Sequence, residues 1–225
     1  MVKVKTSILM PAIRQVLNQL HDDARANDPR VFETVSRQGL KQGTQEYYQA
    51  MREAYLPVDP QFGNLLYSMA RALRAKTIVE FGTSFGISTI YLASALKDEG
   101  SGKLITTEFV PEKAERARKN LSDAELESFV EFRVGDALQT LKESLPQTVD
   151  FLFLDGPKNL YLDVLKLIEP RLRAGTLIVS DNTDQPDLAS FLEYLRTPSH
   201  GYLSSALLTE SHGRQTGHEV TLRIG

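Results

Sequence analysis

Ile78-Val79-Glu80-Phe81-Gly82-Thr83-Ser84-Phe85-Gly86-Ile87-Ser88-Thr89 is the stretch whose reading decides the fold of this chain. Residues 77–81 form an apolar run of strand character that ends in an acid and two glycines, and a helix is expected to open near Gly86. A strand, turn and helix in that order bring backbone N–H groups and a helix N-terminus to one point, which suits an anion. The spacing is E-x-G-x-x-x-G. It lacks the middle glycine of G-x-G-x-x-G that lets a dinucleotide pyrophosphate approach the backbone. The expected ligand is therefore a nucleoside-containing cofactor with a smaller anion, and S-adenosylmethionine (SAM), with one carboxylate, fits. An ordinary tight strand-to-helix turn is the plain alternative.

A second strand, 103–107, runs into Glu108, at the interval where an acid commonly grips ribose hydroxyls. A carboxylate accepts two hydrogen bonds from a cis-diol, so an acid suits that position. By itself Glu108 could equally be a solvated acid before the helix expected at Pro111.

Outward from this unit, strands and helices alternate. Strands are expected at 77–81, 103–107, 130–134, 150–154 and 176–180, with helices starting near Gly86, Pro111, Asp136, Leu160 and Asp187. Val149-Asp150-Phe151-Leu152-Phe153-Leu154 and Leu177-Ile178-Val179 are nearly continuous apolar runs, as in strands buried on both faces. The pattern predicts an α/β fold: a doubly wound, Rossmann-like, mostly parallel sheet with helices on both faces. Two further strands, 202–208 and 218–224, joined through Ser211 to Gly217, predict a C-terminal antiparallel hairpin at one edge. Residues 1–56 read as helical, Met1 to Lys5 leading into an amphipathic helix, with breaks expected at Asp28-Pro29 and between Gly39 and Gly43. Asp59-Pro60 reads as an N-cap followed by proline at the first helical position.

Composition narrows the function classes. The 225 residues are 41% apolar and 24% charged, which fits one large α/β domain. With no cysteine, disulfides, thiolate metal sites and cysteine nucleophiles are excluded. No membrane-length apolar run and no signal peptide is seen, so a cytoplasmic protein is expected. The net charge is −3. The most basic run, Lys113-Ala114-Glu115-Arg116-Ala117-Arg118-Lys119, is laced with acid and reads as a solvated helix face, which argues against a nucleic-acid partner. No G-x-S-x-G elbow or Walker motif occurs, and no histidine shows metal spacing with a partner.

Ligands of an open α/β sheet bind beyond the carboxyl ends of its strands. There the sequence places Glu80, Gly82, Glu108, Gly135-Asp136, Asp155 and Asp181-Asn182. Asp155 and Asp181-Asn182 follow sequential strands, and two carboxylates with an amide oxygen on one rim suit a hard cation such as Mg²⁺. N-capping of the following helices is the alternative use of these residues. Lys158, three residues after Asp155, reaches the same rim and is a candidate general base; a surface lysine is the default reading.

With these residues assembled, the chain resembles the metal-dependent class I O-methyltransferases, the family of catechol and caffeoyl-CoA O-methyltransferases, in a bacterial form. The similarity runs from about residue 57 to the C-terminus. It rests on Glu80-Phe81-Gly82-Thr83-Ser84-Phe85-Gly86-Ile87-Ser88, Glu108, Gly135-Asp136-Ala137, Phe153-Leu154-Asp155 with Lys158 and Tyr161, and Asp181-Asn182. The resemblance implies a methyltransferase domain over 57–225, preceded by a lid or dimerisation segment over 1–56. It also implies that Val58, Glu80, Gly82 and Ser88 hold the methionine end of SAM, that Glu108 holds the ribose, and that Asp136 and Ala137 border the adenine. Asp155, counted with the cofactor site as well, would ligate Mg²⁺ or another divalent cation together with Asp181 and Asn182. Both hydroxyls of a catechol-like vicinal diol would then chelate that cation, and Lys158 would deprotonate the one to be methylated. Pro186 and, more loosely, Glu210 match residues at the family's acceptor pocket. A small-molecule acceptor and a homodimer are implied, with an RNA nucleoside acceptor or a non-catalytic cofactor-binding protein as alternatives. The chain departs from the family at Gly156 and Pro157, which replace bulkier residues, and in having no tryptophan.

Overall fold

A computed structural model describes residues 6–211 and 214–225; the expected start of the amphipathic helix at Met1 to Lys5, and His212 in the hairpin turn, lie outside these. Among the described residues a seven-stranded sheet has the order β3-β2-β1-β4-β5-β7-β6. Its strands are β1 (Thr77–Phe81), β2 (Lys103–Glu108), β3 (Val130–Val134), β4 (Val149–Leu154), β5 (Leu172–Ser180), β6 (Tyr202–Ser211) and β7 (Arg214–Arg223). β1 to β5 pair in parallel, whereas β7 is antiparallel to both β5 and β6. The strand order reverses between β1 and β4, so the crevice of a doubly wound sheet opens there.

The continuous apolar strands are explained by burial on both faces. Ile78, Phe151, Phe153 and Val179 join a core with Leu66, Ile90 and Leu92. Their strand neighbours Val79, Leu152, Leu154 and Ile178 join another with Tyr161, Leu165 and Phe191. Alternate residues point to opposite sides of a strand, so helices must cover both. One side is covered by α3 (Pro60–Ala72), α4 (Ile87–Glu99) and α5 (Pro111–Asp123). The other is covered by α7 (Tyr161–Ile168) and α8 (Ala189–Arg196), with the four-residue α6 (Ala137–Thr140) between β3 and β4.

Three expectations are corrected. The long helix α1, Pro11–Arg37, passes straight through Asp28-Pro29. Ile13, Leu17, Leu20, Ala24, Asp28 and Val35 are buried along it at helical spacing, and this packing outweighs the amide that Pro29 lacks. Asp28 is a tether: its carboxylate accepts from the Tyr55 and Leu56 amides at 2.8 and 3.0 Å. The chain does break at Gly39 (φ +63°) and Gly43 (φ +89°), before the short α2 (Gln45–Ala50). The hairpin is longer than expected, with cross-strand pairs continuing to Ser211↔Arg214 through residues expected to be loop. Ladder hydrogen bonds carry strand structure into that polar, edge-located sequence, which has no apolar alternation to announce it. Finally β5 starts at Leu172, four residues early, with a register irregularity against β4 between Val149 and Phe151. No helix among the described residues is long and apolar enough to cross a membrane.

Candidate active site

The turn after β1 is built from left-handed backbone: Gly82, Ser84 and Gly86 have φ of +106°, +47° and +86°. Gly82 is required by close approach as well, since a Cβ there would lie 2.6 Å from the Asp155 carbonyl oxygen. The turn is held from the neighbouring strand. The Thr83 amide donates to the Thr107 carbonyl at 3.0 Å. Glu108 accepts from the Ser84 amide at 2.8 Å and, through its other oxygen, from the Val110 amide at 2.9 Å. Burial pushes the Glu108 carboxyl above its ordinary range, while Lys113 and these amides pull it back.

A cavity of about 960 Å³ opens over this turn at the carboxyl ends of β1, β2, β4 and β5. Val58, Gly82, Ser88, Glu108, Asp136 and Ala137 all line it. Asp136 also caps α6, accepting from the Leu138 amide at 2.9 Å, so capping and cavity lining coexist in one residue. Val58 is placed by the Asp28 tether on Tyr55 and Leu56.

Glu80 stands apart from these cavity-lining residues. Its carboxylate is fully buried behind the turn and is not part of the cavity wall. It accepts from the Ser88, Thr89 and Thr106 hydroxyls at 2.6, 2.6 and 2.7 Å. Burial, only partly offset by those hydroxyls, pushes its pKa up to about 7. Glu80 therefore fixes the hydroxyl of Ser88, which does line the cavity.

The opposite rim is formed where β4 and β5 end side by side, Leu154 pairing with Ser180. The Asp155 amide donates to the Phe81 carbonyl at 2.8 Å and the Asp181 amide to the Leu154 carbonyl at 2.9 Å. Both residues, with Lys158 and Asn182, line the cavity. Lys158 Nζ donates to Asp155 Oδ1 at 3.2 Å and to Tyr161 Oη at 2.7 Å. The Tyr161 hydroxyl in turn lies 2.8 and 3.1 Å from the Leu154 and Asp181 carbonyls. Asn182 adopts φ +52°, a conformation asparagine tolerates, and its amide donates to Asp181 Oδ1 at 2.9 Å.

Burial and the nearby Asp181 charge push the Asp155 carboxyl well above its ordinary range. Burial would raise Asp181 too, but His218 and Lys158 outweigh it and hold that carboxyl low. Two carboxylates forced together out of water are stabilised by a cation, and an all-oxygen donor set fits Mg²⁺, which needs only one or two protein carboxylates. Among the described residues no group of three or more His, Cys, Asp or Glu side chains is arranged to hold a metal; the third candidate donor here is an amide.

Of the looser expectations, Pro186 opens a short 3₁₀ turn outside the cavity wall and Glu210 is exposed on β6. Phe32, Tyr47, Tyr48, Met51, Leu56 and Pro157 do line the cavity, so the N-terminal segment supplies it with aromatic groups in a chain that has no tryptophan. Tyr47 and Tyr48 meet edge to face at 5.4 Å. Burial, aided by Tyr47 and Asp155, pushes the Tyr48 hydroxyl up to about 12. His218, also on the cavity wall, was not singled out as a site residue; a histidine between Gly217 and Glu219 in an inward-facing strand position was the available signal.

Known proteins resemble this chain in sequence and in fold. The family described as "Methyltransferase domain" matches residues 79–183, from β1 to just beyond Asn182. A catechol O-methyltransferase of Sus scrofa is 30% identical over 151 residues, covering 64% of this chain and 80% of that protein. The chain belongs to the class I O-methyltransferase family of catechol and caffeoyl-CoA O-methyltransferases. A catechol O-methyltransferase of Niastella koreensis is 37% identical over 139 residues, 59% of this chain and 62% of that protein. The chain spans about three fifths of the length of that relative and of others at similar identity. Among solved structures, the O-methyltransferase TomG from Streptomyces achromogenes, in complex with SAM, superposes with a TM-score of 0.69 at 29% identity, covering 76% of this chain and 82% of that one. The family match over 79–183 contains the glycine turn and both carboxylates of the rim, whereas the aromatic wall on α1 and α2 lies outside it.

Proposed function

We propose that this protein is a SAM-dependent O-methyltransferase that uses Mg²⁺ or a similar divalent cation and acts on a small catechol-like vicinal diol. The observation that carries the proposal is one cavity shared by the glycine turn with Glu108 and by the rim of Asp155, Asp181, Asn182 and Lys158. SAM-bound relatives of the same fold and family support the cofactor.

Ser88 and the N-terminus of α4 that follows the turn would receive the methionine end of SAM, Glu108 the ribose hydroxyls, and Asp136 with Ala137 the adenine edge. Asp155, Asp181 and Asn182 would hold the cation, which when bound makes a neighbouring hydroxyl more acidic and fixes its direction. Lys158, pinned between Asp155 and Tyr161, would take that hydroxyl's proton. Tyr48 and Met51 would press a flat aromatic acceptor toward the rim and exclude water, and such positioning supplies much of the rate of an in-line displacement.

The test is methyl transfer from labelled SAM to a panel of catechols, including caffeic acid, with Mg²⁺ and with EDTA. Transfer that disappears in EDTA supports the proposal. Transfer unaffected by EDTA removes the cation, and SAM binding without transfer to any catechol removes the acceptor class.

A further inference from the structure

The inward-facing end of β7 touches the candidate cation rim from behind. His218 is 2% exposed and is held on three sides by three different elements. Its Nδ1 lies 2.7 Å from Asp181 Oδ1, close enough for an ion pair though off the line of an ideal hydrogen bond. Its Nε2 lies 2.7 Å from the Thr209 hydroxyl on β6. Its ring stacks on Phe62 of α3, with centroids 3.8 Å apart and planes inclined by 19°. One residue earlier, the Gly217 carbonyl accepts from the Thr183 amide at 2.7 Å, and a Cβ at Gly217 would come within 3.1 Å of Asp184 Cβ. The start of β7 thus grips the 181–184 segment by a side chain and by its backbone.

We infer that His218 is a positioning residue for the Asp181 carboxylate, fixing it as a preset donor for the divalent cation. The inference rests on the cation reading of the rim given above. Both ring nitrogens are engaged, Nδ1 by Asp181 and Nε2 by Thr209, so the histidine is not itself a free ligand. With the Thr209 hydroxyl donating to Nε2, the tautomer that carries its proton on Nδ1 faces Asp181. Asp181 Oδ1 then accepts from the Asn182 backbone amide and faces the His218 Nδ1 proton at 2.7 Å, and its other oxygen is the candidate donor to the cation. Partners of this outer kind orient a ligating carboxylate, and their loss commonly weakens metal binding by 10- to 100-fold.

The test reads cation binding rather than turnover. Free Mn²⁺ is titrated by electron paramagnetic resonance into full-length wild type, His218→Leu, His218→Asn and Thr209→Val, with SAM affinity measured calorimetrically in EDTA. His218→Leu keeps bulk without a donor and is expected to weaken Mn²⁺ binding about 10- to 100-fold, with SAM affinity unchanged within about twofold. His218→Asn restores an N–H near the Nδ1 position and is expected to recover most of that loss. Thr209→Val leaves the ring on Phe62 and is expected to weaken Mn²⁺ several-fold, which keeps the inference testable if the leucine variant fails to fold. Leucine and asparagine variants that bind Mn²⁺ equally well, or as tightly as wild type, overturn it, as does wild-type affinity in Thr209→Val. Wild type that binds no Mn²⁺ in the presence of SAM defeats the cation reading itself, and the inference falls with it.

Discussion

Gly82 and Asp155 meet backbone to backbone: a Cβ on Gly82 would stand 2.6 Å from the Asp155 carbonyl oxygen and 2.9 Å from the Gly156 nitrogen. This contact joins the glycine turn after β1 to the candidate cation rim after β4, across the crevice where the strand order reverses. Neither turn can move away cheaply, because the Asp155 amide is tied to the Phe81 carbonyl at 2.8 Å. Gly82→Ala would add a clash and a left-handed alanine, a strain of about 1–3 kcal/mol before any clash is counted. We expect SAM and Mn²⁺ affinities to fall together, with a lower Tm. Loss of one affinity alone, measured by calorimetry, would show that the two turns are independent.

Glu80 makes the stability of the protein depend on pH. Its pKa in the folded protein is about 7 against an ordinary 4.5, so the folded state keeps its proton where the unfolded state has lost it. Stability from this group is fully present below pH ~4.5 and is lost as pH rises through ~7, by roughly 3 kcal/mol in all. Glu80→Gln cannot ionise. Relative to the variant, wild type should therefore be less stable at pH 8 than at pH 5 by about that amount, as read from urea unfolding. An equal gap at both pH values would mean that Glu80 is charged in its buried site.

The legible parts of this protein were those in which a local pattern has one physical solution. The bounds of β1 are legible because its apolar run ends at a glycine turn, and those of β3 because Val130, Phe132 and Val134 alternate with charged residues before Gly135; the rim residues follow from their places after strands. What escaped the sequence depends on partners far along the chain. Glu80 looks like a ligand-facing acid until Thr106 and Ser88 are seen to enclose it. Asp28-Pro29 looks like a break until the Tyr55 and Leu56 amides arrive. The aromatic cavity wall on α1 and α2 carries no local signal, since Tyr48 reads as one more helical apolar residue. His218 needed the register of β7 against β5 to reveal its contact with Asp181.

The same tether gives a third prediction. The Asp28 carboxylate serves two backbone amides from a buried position. Removing it strands both, at about 1–3 kcal/mol each. Asp28→Ala should lower the Tm by several degrees and loosen the segment carrying Val58, which would be read as faster hydrogen exchange at Tyr55 and Leu56. Unchanged protection there would place the order of this loop elsewhere, for instance in the Ser84 hydroxyl that donates to the Tyr55 carbonyl at 2.7 Å.

Asp155→Ala separates the two halves of the cavity. The side chain is lost but the carbonyl that packs on Gly82 remains, so SAM affinity should stay within several-fold of wild type. Mn²⁺ binding and methyl transfer should both vanish. Parallel loss of cofactor and cation would sink the assignment of Asp155 to the cation, because it would show that the carboxylate supports the fold of the rim as a whole.

Lys158 admits two roles that one substitution cannot separate. Its ammonium offsets the negative charge of Asp155 at 3.2 Å, and its amine could take a proton from an acceptor hydroxyl. Lys158→Met removes both and should lower kcat by about 10²- to 10⁴-fold, the range of a positioned acid–base group, with little effect on SAM affinity. Lys158→Arg decides between them, because a guanidinium keeps the charge beside Asp155 but cannot accept a proton in a protein. If Lys158 is the base, the arginine variant binds Mn²⁺ and SAM as wild type does and remains as slow as the methionine variant. If it is only a counter-charge, arginine restores turnover, and the proton must leave the acceptor by another route.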